Sequence, residues 1–300
     1  MSAQHSMSAS PEADSMHSQV VPSEAVVSSE EPGMGELERE LVKRLKTGRA
    51  ALPVLPAVAQ SAIRLANDPD ARITDLASLV DTDPPIAARF MSVANSVIYF
   101  RGWVTSSTQS AIVRLGLAST RDLLFQVVYA STSGGLKRYQ PAVQASFRRS
   151  VLAAHAARVI SRELSIGSEY DYMSGLLHDI GEARIYRILD GLKQRADTVL
   201  VESLVKKYHQ SAGAEVAMAW KLPTEIVDAC AAHHDPAAAA TPHVRLIMIA
   251  DCVVDALEAE SATEKRSFNY DAFDRLLVDP SIARRIVEKT RPFVAHGAKI

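Results

Sequence analysis

The sequence predicts an all-α protein, and three observations carry that prediction. Beyond Glu36, apolar residues recur at three- and four-residue spacing almost everywhere. No stretch of any length alternates apolar with polar residues, as a half-buried strand would. Proline, Asp-Pro and glycine signals fall between the periodic segments, where helices should begin and end.

Residues 1–35 contain five acidic residues, many serines and no Lys or Arg, which predicts a disordered tail too poor in apolar surface to offset its chain entropy. Leu52-Pro-Val-Leu-Pro56 places proline in the first turn of a helix running to about Asn67, where Asp68-Pro69 stops it. Thr74 is expected to cap a short helix through Val80. Asp83-Pro84 reads as an N-cap followed by proline at the first helical position, opening a helix with Ile86, Phe90, Val93 and Ala94 on it. A polar loop from Tyr99 to Thr108 follows, then a helical face of Ala111, Ile112 and Leu115, with Gly116 as its stop.

A second helical block begins near Pro141. One long helix runs to about Leu164, and another from Met173 to His178, ended or kinked by Asp179-Ile-Gly181. Further helices are expected over Ser211–Trp220, from Thr224 as cap through Ala232, over His243–Glu258, and around Leu276 and Ile286. The organisation predicted is two packed helical subdomains, 36–140 and 141–262, with the helices of 263–300 packed on the second.

Composition narrows the function. A net charge of -2 and the lack of a long Lys/Arg run disfavour nucleic-acid binding. The longest apolar run, Leu246 to Leu257, is broken by Asp251 and Asp255, so no membrane helix is expected. The N-terminus lacks a secretory pattern, and Cys230 and Cys252 sit in apolar helical context as core thiols, which together predict a cytoplasmic protein.

The chemistry concentrates in Gly175-Leu-Leu-His-Asp-Ile-Gly181. A histidine next to a carboxylate can place a nitrogen and an oxygen on one divalent metal. Six of the nine histidines lie from His155 to His243. The candidate ligands are His178, Asp179, His209, His233, His234 and Asp251, each at or near a helix end except Asp251, which interrupts an apolar helix. A carboxylate there must be paired, hydrogen-bonded or metal-bound. Mixed His/Asp sites suit Fe, Mn, Mg or Zn, and such a metal activates water against a phosphate ester. Against this stands the ordinary fate of a buried histidine as a hydrogen-bonded core residue, the expected role of His155 and His243.

Six segments resemble, in order, the HD-related output domain (HDOD): Leu52-Pro-Val-Leu-Pro56, Asp83 through Asn95-Ser96, Ala111-Ile-Val-Arg-Leu-Gly116, Gly175 through Gly181, Trp220-Lys-Leu-Pro223 and His233-His234. The resemblance spans about residues 45–260. It implies a bacterial signalling protein whose second subdomain is akin to the HD phosphohydrolases, and a regulatory or output module more than an enzyme. It also implies the metal ligands of the HD superfamily, which fall on His178, Asp179, His209, His233, His234 and Asp251.

The first histidine of that ligand set should precede a serine near the start of the long helix, where this chain reads Arg149-Ser150. His155 is a poor substitute, since six residues of helix turn its side chain about 120° and move it ~9 Å. Arg149 is therefore expected either to reach toward Asp179 and Asp251 and replace a metal electrostatically, or to point to solvent beside Arg148. The HD-GYP class, which hydrolyses cyclic di-GMP, carries lysine after His-Asp-x-Gly and a Gly-Tyr-Pro segment after its paired histidines; this chain has Glu182 and Asp235-Pro-Ala-Ala-Ala-Ala-Thr-Pro242.

Tyr99, Phe100 and Trp103 are expected to pack under their loop, Trp220 to plug the core, and Asn95-Ser96 to end a helix by side-chain to backbone bonding. The function expected is a signal-transduction output protein with a degenerate metal site, acting by protein-protein interaction without catalysis. Its partner would be a sensor kinase or a second-messenger component. The alternatives are a metal-dependent phosphohydrolase or phosphodiesterase with an incomplete site, and a protein that binds a nucleotide without turning it over.

Overall fold

Every regular element among the described residues is helical, in a computed structural model that describes residues 35–47, 61, 65, 70, 72–132, 134–261 and 271–294. In chain order the helices are α1 (Glu36–Thr47), α2 (Ile73–Val80), α3 (Pro84–Ala94), α4 (Thr108–Thr132), α5 (Gln140–Leu164), α6 (Asp171–Leu177), α7 (Ile180–Asp190), α8 (Thr198–Ala219), α9 (Thr224–Ala232), α10 (Pro242–Ser261), α11 (Asp271–Arg275) and α12 (Pro280–Thr290). The expected tail over 1–34 and nearly all of the helix expected from Leu52 to Asn67 lie outside the described residues.

Local chemistry explains most boundaries. Asp83 accepts a hydrogen bond from the Ile86 amide at 3.2 Å, and Pro84 and Pro85 fill the first turn of α3. At the other end Asn95 is stapled to the following loop: its amide donates to the Thr105 carbonyl and its carbonyl accepts from the Thr105 amide, both at 2.9 Å. The backbone bond expected of Asn95 thus exists, but it closes the loop onto the helix end. Gly116, at φ 77° and ψ 162°, breaks α4 into two segments, a conformation that L side chains rarely adopt. Asp197 caps α8 through the Leu200 amide at 2.7 Å.

Several expectations need correction. Thr74 does not cap α2, which starts one residue earlier after Arg72 and has no side-chain cap. Thr224 is the first residue of α9 rather than its cap. Helix α7 and the first half of α8 extend beyond the helices expected from the sequence, which begin the second of these only at Ser211. His209 consequently sits mid-helix and not at a helix end. Trp103 is 64% exposed and Phe100 47%, so these aromatics do not pack under their loop. Cys230 is fully buried, whereas Cys252 is only half-buried.

The described residues from Glu36 onward pack as one compact unit. Helix α5 is its axis. One face, with Val143, Phe147, Val151 and Ala154, packs with α1, the end of α4 and α6 to α9. The other, with Leu152, Ala156 and Ile160, packs against Ile247 and Val253 of α10, Phe273 of α11 and Ile286 of α12. A third cluster joins α2, α3 and α4 through Leu76, Val80, Ile86, Phe90, Ile112 and Leu124. Small residues let α6 approach the axis: a β-carbon at Gly175 would lie 2.8 Å from the Ala153 carbonyl oxygen and from the Ala154 α-carbon. That contact seats the end of α6, and with it the next residues, against the core.

Candidate metal centre

His178 and Asp179 occupy the two-residue break between α6 and α7. Their neighbours come from three other helices: His209 from the middle of α8, His233 from the end of α9, and Asp251 from α10. His234 follows His233 and faces solvent. The structure brings together all six residues singled out in the sequence. One ligand atom each from Asp179, His209, His233 and His234 lie within 4.8 Å of one another, as do those from His178, His233 and Asp251.

The three buried histidines share one hydrogen-bond pattern. Each presents Nδ1 to a backbone carbonyl one turn back: His178 to Gly175 at 2.9 Å, His209 to Lys206 at 3.0 Å and Val205 at 3.1 Å, and His233 to Ala229 at 2.8 Å. A carbonyl only accepts, so Nδ1 carries the proton and Nε2 turns its lone pair inward. The lone pairs then meet acceptors. His178 Nε2 is 3.0 Å from Asp251 Oδ1 and 3.1 Å from Asp179 Oδ2. His233 Nε2 is 3.2 Å from Asp179 Oδ1 and 3.2 Å from His209 Nε2. Asp179 Oδ1 is buried without a hydrogen-bond donor.

Acceptors crowded this closely require a cation or shared protons. Two ligand atoms about 2.0–2.2 Å from one ion lie roughly 3–3.5 Å apart, which is the spacing seen here. The donor set of imidazole nitrogens and carboxylate oxygens fits a divalent metal, with His178, Asp179, His209, His233, His234 and Asp251 able to hold it. Without one, the charges settle as follows. Burial opposes charging His178, but the carboxylates of Asp179 and Asp251 outweigh it and hold the ring well above the ordinary histidine range. Burial would raise Asp179, yet the His178 and His233 side chains hold it well below the carboxylate range. Burial lowers His209, and burial with the neighbouring His233 pushes His234 down to about 4, so both remain neutral ligands near pH 7.

Arg149 corrects the sequence expectation. Its guanidinium does not span Asp179 and Asp251. It donates to Asp255 Oδ1 at 2.8 Å and to Glu258, one and two turns beyond Asp251 on α10. Position 149 lies far enough along α5 that a long side chain reaches the outer turns of α10 and takes the more solvent-exposed carboxylates. Glu182, where the HD-GYP pattern has lysine, is pushed up to about 7 by burial and then by the charge of Asp179. His155 stacks on Phe293 with ring centroids 4.1 Å apart, and His243 lies 3.4 Å from Asp228; neither joins the cluster. The backing carbonyls of Gly175, Lys206 and Ala229 are absent from the sequence expectations, although their placement three or four residues before each histidine is the signal that could have found them.

The fold has counterparts among known proteins. A crystal structure from Shewanella amazonensis SB2B, named for a metal-dependent phosphohydrolase, superposes with a TM-score of 0.67 at 21% identity, covering 87% of this chain and 98% of that one. An HDOD domain protein from Geobacter sulfurreducens superposes with a TM-score of 0.59 at 23% identity, covering 86% and 93%. Among curated sequences, an uncharacterized protein of Treponema pallidum (strain Nichols) is 21% identical over 71% of this chain and 44% of its own length. Ribonuclease Y of Thermus thermophilus is 28% identical over 52% of this chain and 22% of its own. The chain spans less than half the length of these curated relatives. The family model of the HDOD domain matches residues 52–236, more than half of the sequence, and the chain belongs to the HDOD domain family.

Proposed function

We propose that this protein is a signal-transduction output module that works by docking a partner protein, with a divalent cation held in the His/Asp cluster as part of its framework. One observation carries the docking reading: the loop after α3 and the outer face of the first half of α4 expose large apolar residues, with Trp103 and Val113 lining one depression. Val97 is 91% exposed, Val104 72% and Val113 61%, beside Trp103. Soluble proteins rarely leave such a patch uncovered, and a solvated tryptophan is a frequent interface anchor. Arg114 holds Trp103 in place, donating to its carbonyl at 2.9 Å with its guanidinium 5.3 Å above the ring. Arg101 and Arg114 line a shallow depression beside the tryptophan, which suits a partner offering an apolar knob flanked by carboxylates. A sensor kinase is the partner type expected for such a module.

A photo-crosslinking residue at Val104, in the native host, tests this. The expected product is a crosslink to one signalling protein whose purified form binds at least tenfold more weakly to Trp103→Ala, with the fold of the variant unchanged. Equal binding to wild type and variant would remove this surface from the reading.

A second reading, metal-dependent phosphohydrolysis, is favoured by the inward-facing Nε2 lone pairs and by relatives named for phosphohydrolase and ribonuclease activity. A bound metal would supply Lewis acidity and an activated water. The chain's own residues would hold the imidazoles in the Nδ1-protonated form and set Asp179 as an anion. Against turnover stands Glu182, whose carboxyl occupies the place of a phosphate-contacting lysine and would repel a phosphate once ionised. Phosphodiesterase assays of the Mn²⁺-loaded protein, with Asp179→Asn as control, separate the two: activity lost in the variant would establish an enzyme.

A further inference from the structure

Arg89, on α3, is a half-buried guanidinium with no carboxylate partner and no hydrogen bond among the described residues. Unpaired cations in partly dry surroundings cost free energy, and burial lowers the pKa of this one. It faces a cavity of about 380 Å³ enclosed between α3, the Asn95–Tyr99 loop, α4, α5 and α6. This cavity shares no lining residue with the His/Asp cluster.

Its polar wall is charged but unbalanced. Asp122 of α4, with its side chain 4% exposed, pairs through one oxygen with Arg158 of α5, while its other oxygen is buried without a hydrogen-bond partner. The Arg158 guanidinium also lies 4.6 Å over the ring of Tyr172. Among the described lining residues, two guanidiniums thus face one carboxylate, and the rest of the wall mixes aliphatic and aromatic side chains, including Tyr99 and Tyr172, with neutral polar ones such as Ser119 and Gln126. Concave sites of this size with an apolar body and a few fixed polar groups are where small ligands bind.

The geometry points to a binding site for a small aromatic anion: a flat ring body bearing one phosphate or carboxylate, with the anionic group on Arg89 and the ring along the Tyr99 and Tyr172 side. An Arg fork matches either oxyanion. The ligand would sit beside Val97, one of the exposed residues of the docking surface, which also lines this cavity. The site stands independently of that surface's role.

Isothermal titration calorimetry on the full chain tests it, with adenosine and guanosine 5′-monophosphates as phosphate probes, indole-3-acetate as the carboxylate probe and adenosine as the neutral control. The expected result is saturable one-to-one binding of at least one anion, weakened tenfold or more by Arg89→Gln, partly restored by Arg89→Lys and unchanged by Asp179→Asn. Which probe binds identifies the oxyanion. No binding of any probe at millimolar concentration overturns the inference. So does equal affinity for adenosine and its monophosphate, or binding that survives Arg89→Gln and disappears with Asp179→Asn.

Discussion

Gly181 lies directly against the backbone of His209: a β-carbon at position 181 would come within 1.9 Å of the His209 carbonyl oxygen and 2.5 Å of the Gly213 amide nitrogen. The glycine that closes the Gly175-to-Gly181 segment is therefore what lets α7 touch α8 at the turn that carries a candidate ligand. Gly181→Ala should force the two helices apart, costing about 1–3 kcal/mol or more because the contacted atoms are backbone. Urea unfolding measures the loss, and metal retention should fall with it. A variant as stable as wild type would mean that the helices slide without cost.

Metal should stabilise this fold through the cluster. Mn²⁺, Fe²⁺ or Zn²⁺ at a hundred times its Kd is expected to raise unfolding free energy by about 2.7 kcal/mol. Asp179→Asn should abolish most of that increment, whereas Arg149→Ala, which removes only the pairs with Asp255 and Glu258, should leave metal stoichiometry unchanged. Metal content that rises in Arg149→Ala would revive a direct competition between guanidinium and metal.

Asp122 sets a pH dependence. Its carboxyl, near 3.8 when unperturbed, is pushed up to about 6 by burial, which outweighs the nearby Arg158 and Arg121. An acid raised on folding favours the native state while protonated, so its contribution is complete below about pH 4 and is lost as pH rises through about 6. Relative to Asp122→Asn, wild-type stability should fall by roughly 1–3 kcal/mol across that window. Parallel pH profiles for the two proteins would contradict the assignment.

Arg184 ties three elements together. Only 2% exposed, it donates to the Leu45 carbonyl at the end of α1 at 2.9 Å, to the Ala212 carbonyl at 3.3 Å and to Glu215 at 2.5 Å. Arg184→Met should cost about 2–4 kcal/mol by orphaning the Leu45 carbonyl in the last turn of α1 and leaving Glu215 without its cation. Arg184→Lys should recover only part of this, since one ammonium cannot reproduce the fork. Thermal unfolding of both variants supplies the comparison, and full rescue by lysine would show that charge alone matters.

Helical periodicity, Asp83-Pro84 and Gly116 are enough to place most elements, because caps and breakers act within a few residues. The six ligand candidates are legible for a related reason: histidines and carboxylates in apolar helices are costly unless partnered, so their presence announces a partner. The partners themselves are not legible. Whether Arg149 reaches Asp251 or Asp255 depends on how far α5 and α10 are offset along their axes, a consequence of alanine-lined packing that no local signal encodes. The exposure of Trp103 and the half-burial of Arg89 likewise follow from where α3 and α4 settle against α5. Sequence alone determined an all-α member of this family and which residue types carry its chemistry; tertiary packing decided which of those residues meet, because side chains distant in the chain interact only where helix surfaces bring them within a few ångströms.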